Sequence, residues 1–476
     1  MHLDGLPYAL ELAATKLRVL SPEQLLQRLD DRFKLLRGGS QTGAGRHASL
    51  QTMLDWSWEL LTASEQALLR RLAVFVGGWS LTAAERVCED EVVDDVLTVL
   101  HRLIDQSLVE VTEPVDGELR YRFLETVRAY ALTQLRAAGE EEAMRERQLQ
   151  WCVELAEAAE AGLKGREQIH WLNQLQLEHD NLRAALEWGK EREEGVRIAA
   201  GIHRFWYIRG FFAEGRSWLE KLLTVPCPAV LRIKILNAAG IIAWAQGDVT
   251  AARDYFSQCL ALPELSADRA AYARARNNLA IVECQLKDFA SSERHYLASL
   301  EVYCELGDYK RVSILKSNLA NLRTQQGDAR GALQLLEEAL AFQAQSDDLE
   351  AAAFTLQNLG EAHLALHELE PASARLREAL RIRADLGNTR GVAISLSTFG
   401  ILAERQGRFQ QAARLFGAVE ALDIGLEPHG DLIGAEYFES VERVRAALGE
   451  AAIAEWEVGR AAAAKEKKVD FSSLIC

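Results

Sequence analysis

The feature that most constrains this chain is a spacing of 40 residues, kept by Gly240, Ala280, Ala320, Gly360 and Gly400 and again by Ala252, Ser292, Ala332, Ala372 and Ala412. Bulky residues follow the same ruler at Phe256, Tyr296, Leu336, Leu376 and Phe416. Turn residues recur with them at Gly247-Asp248, Lys287-Asp288, Gly327-Asp328, His367-Glu368 and Gly407-Arg408. Self-similarity at a fixed period of this size implies a solenoid of stacked helical hairpins. Within one unit, Ala332, Leu335, Leu336, Ala339 and Leu340 stand at i, i+3, i+4, i+7 and i+8, which gives an amphipathic helix with one buried face. Small residues at the Gly240 and Ala252 positions let helix axes approach to the near end of the usual ~8–10 Å range. Each Gly-Asp pair ends a first helix with a residue free to take positive φ and starts the second with a carboxylate cap.

The triplets Asn278-Leu279-Ala280, Asn318-Leu319-Ala320 and Asn358-Leu359-Gly360 carry a further signature. Followed by the turn and by the small and large pair of the second helix, they resemble the tetratricopeptide repeat in its lengthened form. Ala238 and Thr398 depart from the Asn in the first and last units. The resemblance implies a right-handed superhelix whose first helices line a concave, partner-binding face, in a family rarely catalytic.

Composition limits what surrounds this array. The chain has 476 residues, 49% of them hydrophobic and only 8 of them Pro, which suits an ordered, mainly α protein with room for several domains. A formal charge of −16 disfavours a nucleic-acid or anionic-membrane surface. The seven Cys form no CxxC pair, which fits a reducing compartment and neither a disulfide framework nor a zinc site. No apolar run reaches the ~18 residues of a membrane span, and Asp4 and Glu11 spoil a signal peptide, so a cytoplasmic protein is expected.

Residues 1–46 begin as helix, with Leu6, Leu10, Ala13, Ala14 and Leu17 on one face. LDGLPYALELAA and LSPEQLLQRLDDRFKLL resemble the helical subdomain that follows the nucleotide-binding core in STAND-class signalling ATPases, which include the NB-ARC modules and many bacterial activators. That resemblance implies that Gly5, Leu6 and Pro7 are the remnant of an adenine-side contact. Such ATPases need a GxxxxGK[ST] loop between strand and helix, whose backbone N–H groups ring the phosphates. Gly38-Gly39-Ser40-Gln41-Thr42-Gly43-Ala44-Gly45 follows a helix and leads into Arg46-His47, so it reads as a flexible linker. The phosphate-binding residues are expected upstream of Met1, on another chain, or nowhere. No cofactor is expected, with ADP or ATP bound only if a separate NTPase domain supplies the loop.

Residues 47–137 assemble into a winged helix. Four helices are expected around Leu50–Leu61, Leu68–Phe75, Leu81–Cys88 and Val93–Ile104, then a hairpin of Ser107–Thr112 and Glu118–Phe123 turning at Pro114–Gly117. Its third and fourth helices carry Glu85, Glu89, Asp90, Glu91, Asp94, Asp95 and Asp105 against Arg86 and Arg102, which would repel phosphates. LQTMLDWSWELLTASEQALLRRLAVFVGGWSLTAAERVC and YRFLETVRAYAL resemble the regulatory winged helix of the same ATPases. Where many relatives carry Met-His-Asp, this chain has Phe123-Leu124-Glu125, which removes the phosphate-sensing His.

Residues 138–230 read as a helical adaptor with a degenerate repeat, residues 231–421 as five repeats, and residues 422–476 as capping helices with a frayed tail. Glu178-His179-Asp180 reads as a polar helix face rather than a metal site, and His363 with His367 as solvated or capping residues. The expected function is a non-catalytic sensing arm that holds a protein or peptide. Its groove would be lined by Asn277, Asn278, Ser317, Asn318, Gln357, Asn358 and Ser397, whose amides both donate to and accept from a peptide backbone. Local capping and packing between hairpins is the competing role for the same Asn residues. A nucleotide-driven switch completed by a P-loop on another polypeptide is the alternative function.

Overall fold

The computed structural model describes residues 54–115, 118–165, 167–266, 268–346, 348–422 and 432–465. They form two compact units: the described residues up to Glu154 with Glu178–Trp188, and Leu155–Leu177 with the described residues from Gly189 on.

The first unit is a winged helix. Helical residues 54–60 lead into α1 (Ala63–Arg71), β1 (Trp79–Ser80), α2 (Leu81–Cys88), α3 (Val96–Asp105), β2 (Glu110–Val115), β3 (Glu118–Arg122) and α4 (Glu125–Ala137). Thr62 and Glu65 make the capping box that starts α1: each accepts a hydrogen bond from the other's backbone N–H. The three strands run antiparallel in the order β1-β3-β2, with Trp79 opposite Tyr121. Alternation alone did not anticipate β1, which spans only two residues. Nor does Val93 begin a helix: Asp90 accepts from the N–H groups of Val92 and Val93, and Asp95 caps α3. Trp79 sits in the core, stacked 5.8 Å from Phe75 and tilted against Phe123 at 4.8 Å.

α5 (Glu141–Gly162) follows, then α6 (Gln168–Leu177) and α7 (His179–Trp188). The residues expected to form one adaptor are therefore divided, because residues 178–188 pack with the winged helix. Glu178 and His179 are buried, which corrects the reading of this tripeptide as a polar face. Glu178 accepts from Arg120 of β3 and from Asn181 Nδ2. Asn181 also accepts from Val76 N at 2.7 Å and donates to Gly78 O at 2.8 Å, so its amide clamps the turn before β1.

The second unit contains α6, α8 (Glu193–Arg209), α9 (Phe212–Leu222) and then five hairpins. These are α10 (Ala229–Ala245) with α11 (Val249–Ala261), α12 (Arg269–Gln285) with α13 (Phe289–Glu305), α14 (Tyr309–Gln325) with α15 (Ala329–Ser346), α16 (Leu349–Ala365) with α17 (Leu369–Asp385), and α18 (Thr389–Arg405) with α19 (Phe409–Ala421). α20 (Leu432–Leu448) and α21 (Ala451–Lys465) close the array.

The 40-residue ruler has a direct packing cause. A Cβ on Gly240 would lie 2.5 Å from the Phe256 ring, and one on Gly360 would lie 2.5 Å from the Leu376 side chain. The small residue of each first helix thus makes room for the large one of its second. Gly247, Lys287, Gly327, His367 and Gly407 all take positive φ. At the first of these, Gly247 N donates to Trp244 O and Asp248 N to Ala243 O, both at 3.0 Å, the Schellman closure of a helix. Asp248, Asp288 and Asp328 then accept from the third residue beyond them, which starts the second helix. Among the described residues, no helix is long and apolar enough to cross a membrane.

Candidate functional site

Stacking brings the five first helices side by side, and their shared face carries a cavity of about 820 Å³. Trp244 of α10, Cys284 of α12, Asn318 and Asn321 of α14, Phe354, Gln357 and Asn358 of α16, and Arg390 and Ile394 of α18 all line it. Tyr207 of α8 and Arg383 of α17 complete the wall.

The expected groove residues separate into two sets. Asn318, Gln357 and Asn358 line the cavity, whereas Asn277, Asn278, Ser317 and Ser397 do not. All seven take part in a ladder that ties each first helix to the next or to itself. Asn278 Nδ2 donates to Asn237 Oδ1 at 2.7 Å, Asn318 Nδ2 to Asn277 Oδ1 at 2.8 Å, and Asn358 Nδ2 to Ser317 O at 3.3 Å. Ser317 and Ser397, both fully buried, return their hydroxyls to Ser313 O and Ile394 O within their own helices. The Asn register therefore joins neighbouring hairpins, and only its later members also reach open space. Gly5, Leu6 and Pro7 lie outside the described residues.

Sequence reasoning missed the charged part of the wall. Arg383 is 3% exposed, and its Nη1 donates to Gln357 Oε1 at 3.0 Å, Gly391 O at 3.0 Å and Ser395 Oγ at 2.8 Å. Burial lowers its pKa, opposed by the more distant Glu350 carboxylate. The available signal was the 40-residue register, where Tyr303 and Gln343 precede Arg383 as large buried polar residues. Arg390 lies over the Trp244 ring, 5.4 Å from its centroid, a cation–π contact, and donates to Ala245 O. Two carboxylates complete the polar lining. Glu350 accepts from Asn388 Nδ2 at 2.9 Å, and Glu361 from Gln357 Nε2 at 2.8 Å.

Burial pushes the Cys284 thiol up to about 11, which keeps it protonated and a poor nucleophile. His363 lies away from the cavity lining and pairs its Nδ1 with Glu368 Oε2 at 2.7 Å across the turn. Among the described residues, no group of three or more His, Cys, Asp or Glu side chains could hold a metal ion.

Fold and site together define a winged-helix and tetratricopeptide-repeat protein. A model described as a winged helix-turn-helix domain matches residues 61–136, and a tetratricopeptide-repeat model matches residues 231–305 and 311–385. The chain is 35% identical over 289 residues to a Mycobacterium tuberculosis protein named as an HTH-type transcriptional regulator, covering 58% of this chain and 32% of that protein. It is 24% identical over 416 residues to the regulatory protein AfsR of Streptomyces coelicolor, covering 84% of this chain and 39% of that protein. The chain thus spans a third or somewhat more of the length of these curated relatives. Among solved structures, a STAND protein with a tetratricopeptide repeat sensor from Pyrococcus horikoshii is similar at 14% identity and TM-score 0.43, covering 95% of this chain and 72% of that one.

Proposed function

We propose that this chain is the sensing arm of a bacterial STAND-type transcriptional regulator, non-catalytic in itself, and that the face built from its first helices holds a protein or peptide. One observation carries the reading: a cavity of about 820 Å³ spans all five first helices and is lined by amides, aromatic rings and charged side chains. Amides that both donate and accept suit an extended backbone. The relatives named as transcriptional regulators support the regulatory half of the proposal. The winged helix is the arm's coupling module in this scheme, and it does not bind DNA. Its two arginines on the third and fourth helices stand beside carboxylates, Arg86 2.8 Å from Glu154 and Arg102 3.9 Å from Glu65, which weakens the positive field a phosphate would meet.

The test is to pan a random-peptide phage library against the protein and repeat the capture with Asn318→Ala combined with Asn358→Ala. Selected peptides should lose most of their binding to the double variant. Unchanged capture overturns the groove assignment. The nucleotide-switch alternative rests on Gly5-Leu6-Pro7, outside the described residues, and calorimetry with ADP tests it directly.

A further inference from the structure

Arg383 presents an unresolved electrostatic problem. Its guanidinium is buried, yet its three hydrogen bonds all leave from Nη1 and all end on neutral acceptors: an amide oxygen, a backbone carbonyl and a hydroxyl. Nε is buried with no partner. Among the described residues no carboxylate lies within ion-pair distance of it, and Glu350, the nearest in influence, is engaged by Asn388 at 2.9 and 3.1 Å. Sequestering a cation in this way is costly unless an anion answers it. Arg383 also lines the large cavity, so the answering charge has space to enter.

We propose that the cavity takes a monoanionic ligand, whose carboxylate sits against Arg383 and whose apolar body packs among Tyr207, Trp244 and Phe354. The charge of the wall sets the valence. Lys287, Arg383 and Arg390 face Glu350 and Glu361 around one space, so a single negative charge balances it, while a phosphate dianion would leave it net negative. Guanidinium forks match carboxylate oxygens in geometry, and the bond gains strength where water is excluded. The aromatic walls require more than a bare anion. A peptide C-terminus and a free arylalkanoic acid share this chemistry, and both fit a cavity of this volume. The inference rests on the groove reading above and adds which end of a partner enters and what holds it.

Equilibrium dialysis of the full chain separates the outcomes. Three probes are used: a pool of apolar tetrapeptides with free C-termini, the same pool C-terminally amidated, and 3-phenylpropionate. Retention of the free-acid pool at least about tenfold above the amidated pool supports the proposal with a peptide terminus as the source. Retention of 3-phenylpropionate alone supports it with a small acid as the source. In either case Arg383→Met should cut retention about tenfold or more.

Gln357→Glu, made together with Glu361→Gln so that two carboxylates do not meet where Gln357 Nε2 now donates to Glu361 at 2.8 Å, guards against simple misfolding, because it keeps the guanidinium and the net charge and places a carboxylate oxygen where the amide oxygen now accepts at 3.0 Å. That internal anion should displace the ligand's and reduce retention while the protein stays folded by circular dichroism. Retention by this folded double variant equal to wild type overturns the proposal. Equal retention of free-acid and amidated pools overturns the carboxylate assignment and leaves the groove reading standing. Retention of no probe by the wild type counts against both.

Discussion

A methyl group on Gly391 would lie 2.8 Å from Cδ and 3.0 Å from Nε of Arg383, so the missing side chain of one residue fixes the position of the other's guanidinium. The glycine also offers its carbonyl to Arg383 Nη1 at 3.0 Å. Gly391→Ala must push the arginine aside. Overpacking of about 1–3 kcal/mol is partly offset by the ~1 kcal/mol that Ala gains over Gly in a helix. A net loss of up to ~2 kcal/mol in urea denaturation is expected, with free-carboxylate peptide retention falling as it does for Arg383→Met. Unchanged retention would show that the guanidinium position does not matter.

The pairing of small and large residues across each hairpin is open to a coupling experiment. A Cβ on Gly400 would collide with the Phe416 ring, 2.6 Å from Cδ1. Gly400→Ala alone should cost about 1–3 kcal/mol. Combined with Phe416→Leu, which shortens the colliding group, its added cost should shrink by ~1 kcal/mol or more, since contacting residues couple on that scale. Additive losses in denaturant melts would separate the two positions energetically.

Legibility followed the periodic part of the chain. That the Gly240 and Gly360 positions must be small could be read from the spacing, because a repeat imposes one steric problem on every unit, whereas the side chains they make room for, Phe256 and Leu376, came from the structure. Caps at Asp248, Asp288 and Asp328 were legible for the same reason. Residues that break the pattern were not. Arg383 occupies a position that Tyr303 and Gln343 fill elsewhere, and nothing local announces that Gly391 leaves room for it. The Asn register was visible, but which amides face open space depends on how consecutive hairpins rotate. Glu178 was misread because a carboxylate looks solvated until its distant partner on β3 is known.

Glu178 is fully buried and Arg120 nearly so. Removing one partner of such a pair leaves an uncompensated charge and typically costs about 3–5 kcal/mol. Glu178→Gln keeps the shape and removes the charge, so a loss of that order is expected in the unfolding of the winged-helix unit. Arg120→Gln with Glu178→Gln should be less destabilised than the sum of the single variants. Additive single and double losses in urea melts would make the ion pair energetically inert.

His203 supplies a pH dependence whose sign follows from its surroundings. Burial lowers its pKa from the ordinary 6.5 to about 4, with Lys164 and Arg204 adding to the effect, while Nδ1 faces Ala200 O at 2.7 Å. The folded protein therefore keeps this imidazole neutral in the range where the unfolded chain binds a proton. Its penalty is absent above about pH 6.5 and grows as the pH falls toward 4, so stability drops with acidity through that window. His203→Gln removes the titration and leaves the neighbouring carboxylates in place. The wild type's urea midpoint should fall more steeply than the variant's between pH 7 and about pH 4. Parallel curves would mean that His203 is protonated in the folded state as easily as in the unfolded one.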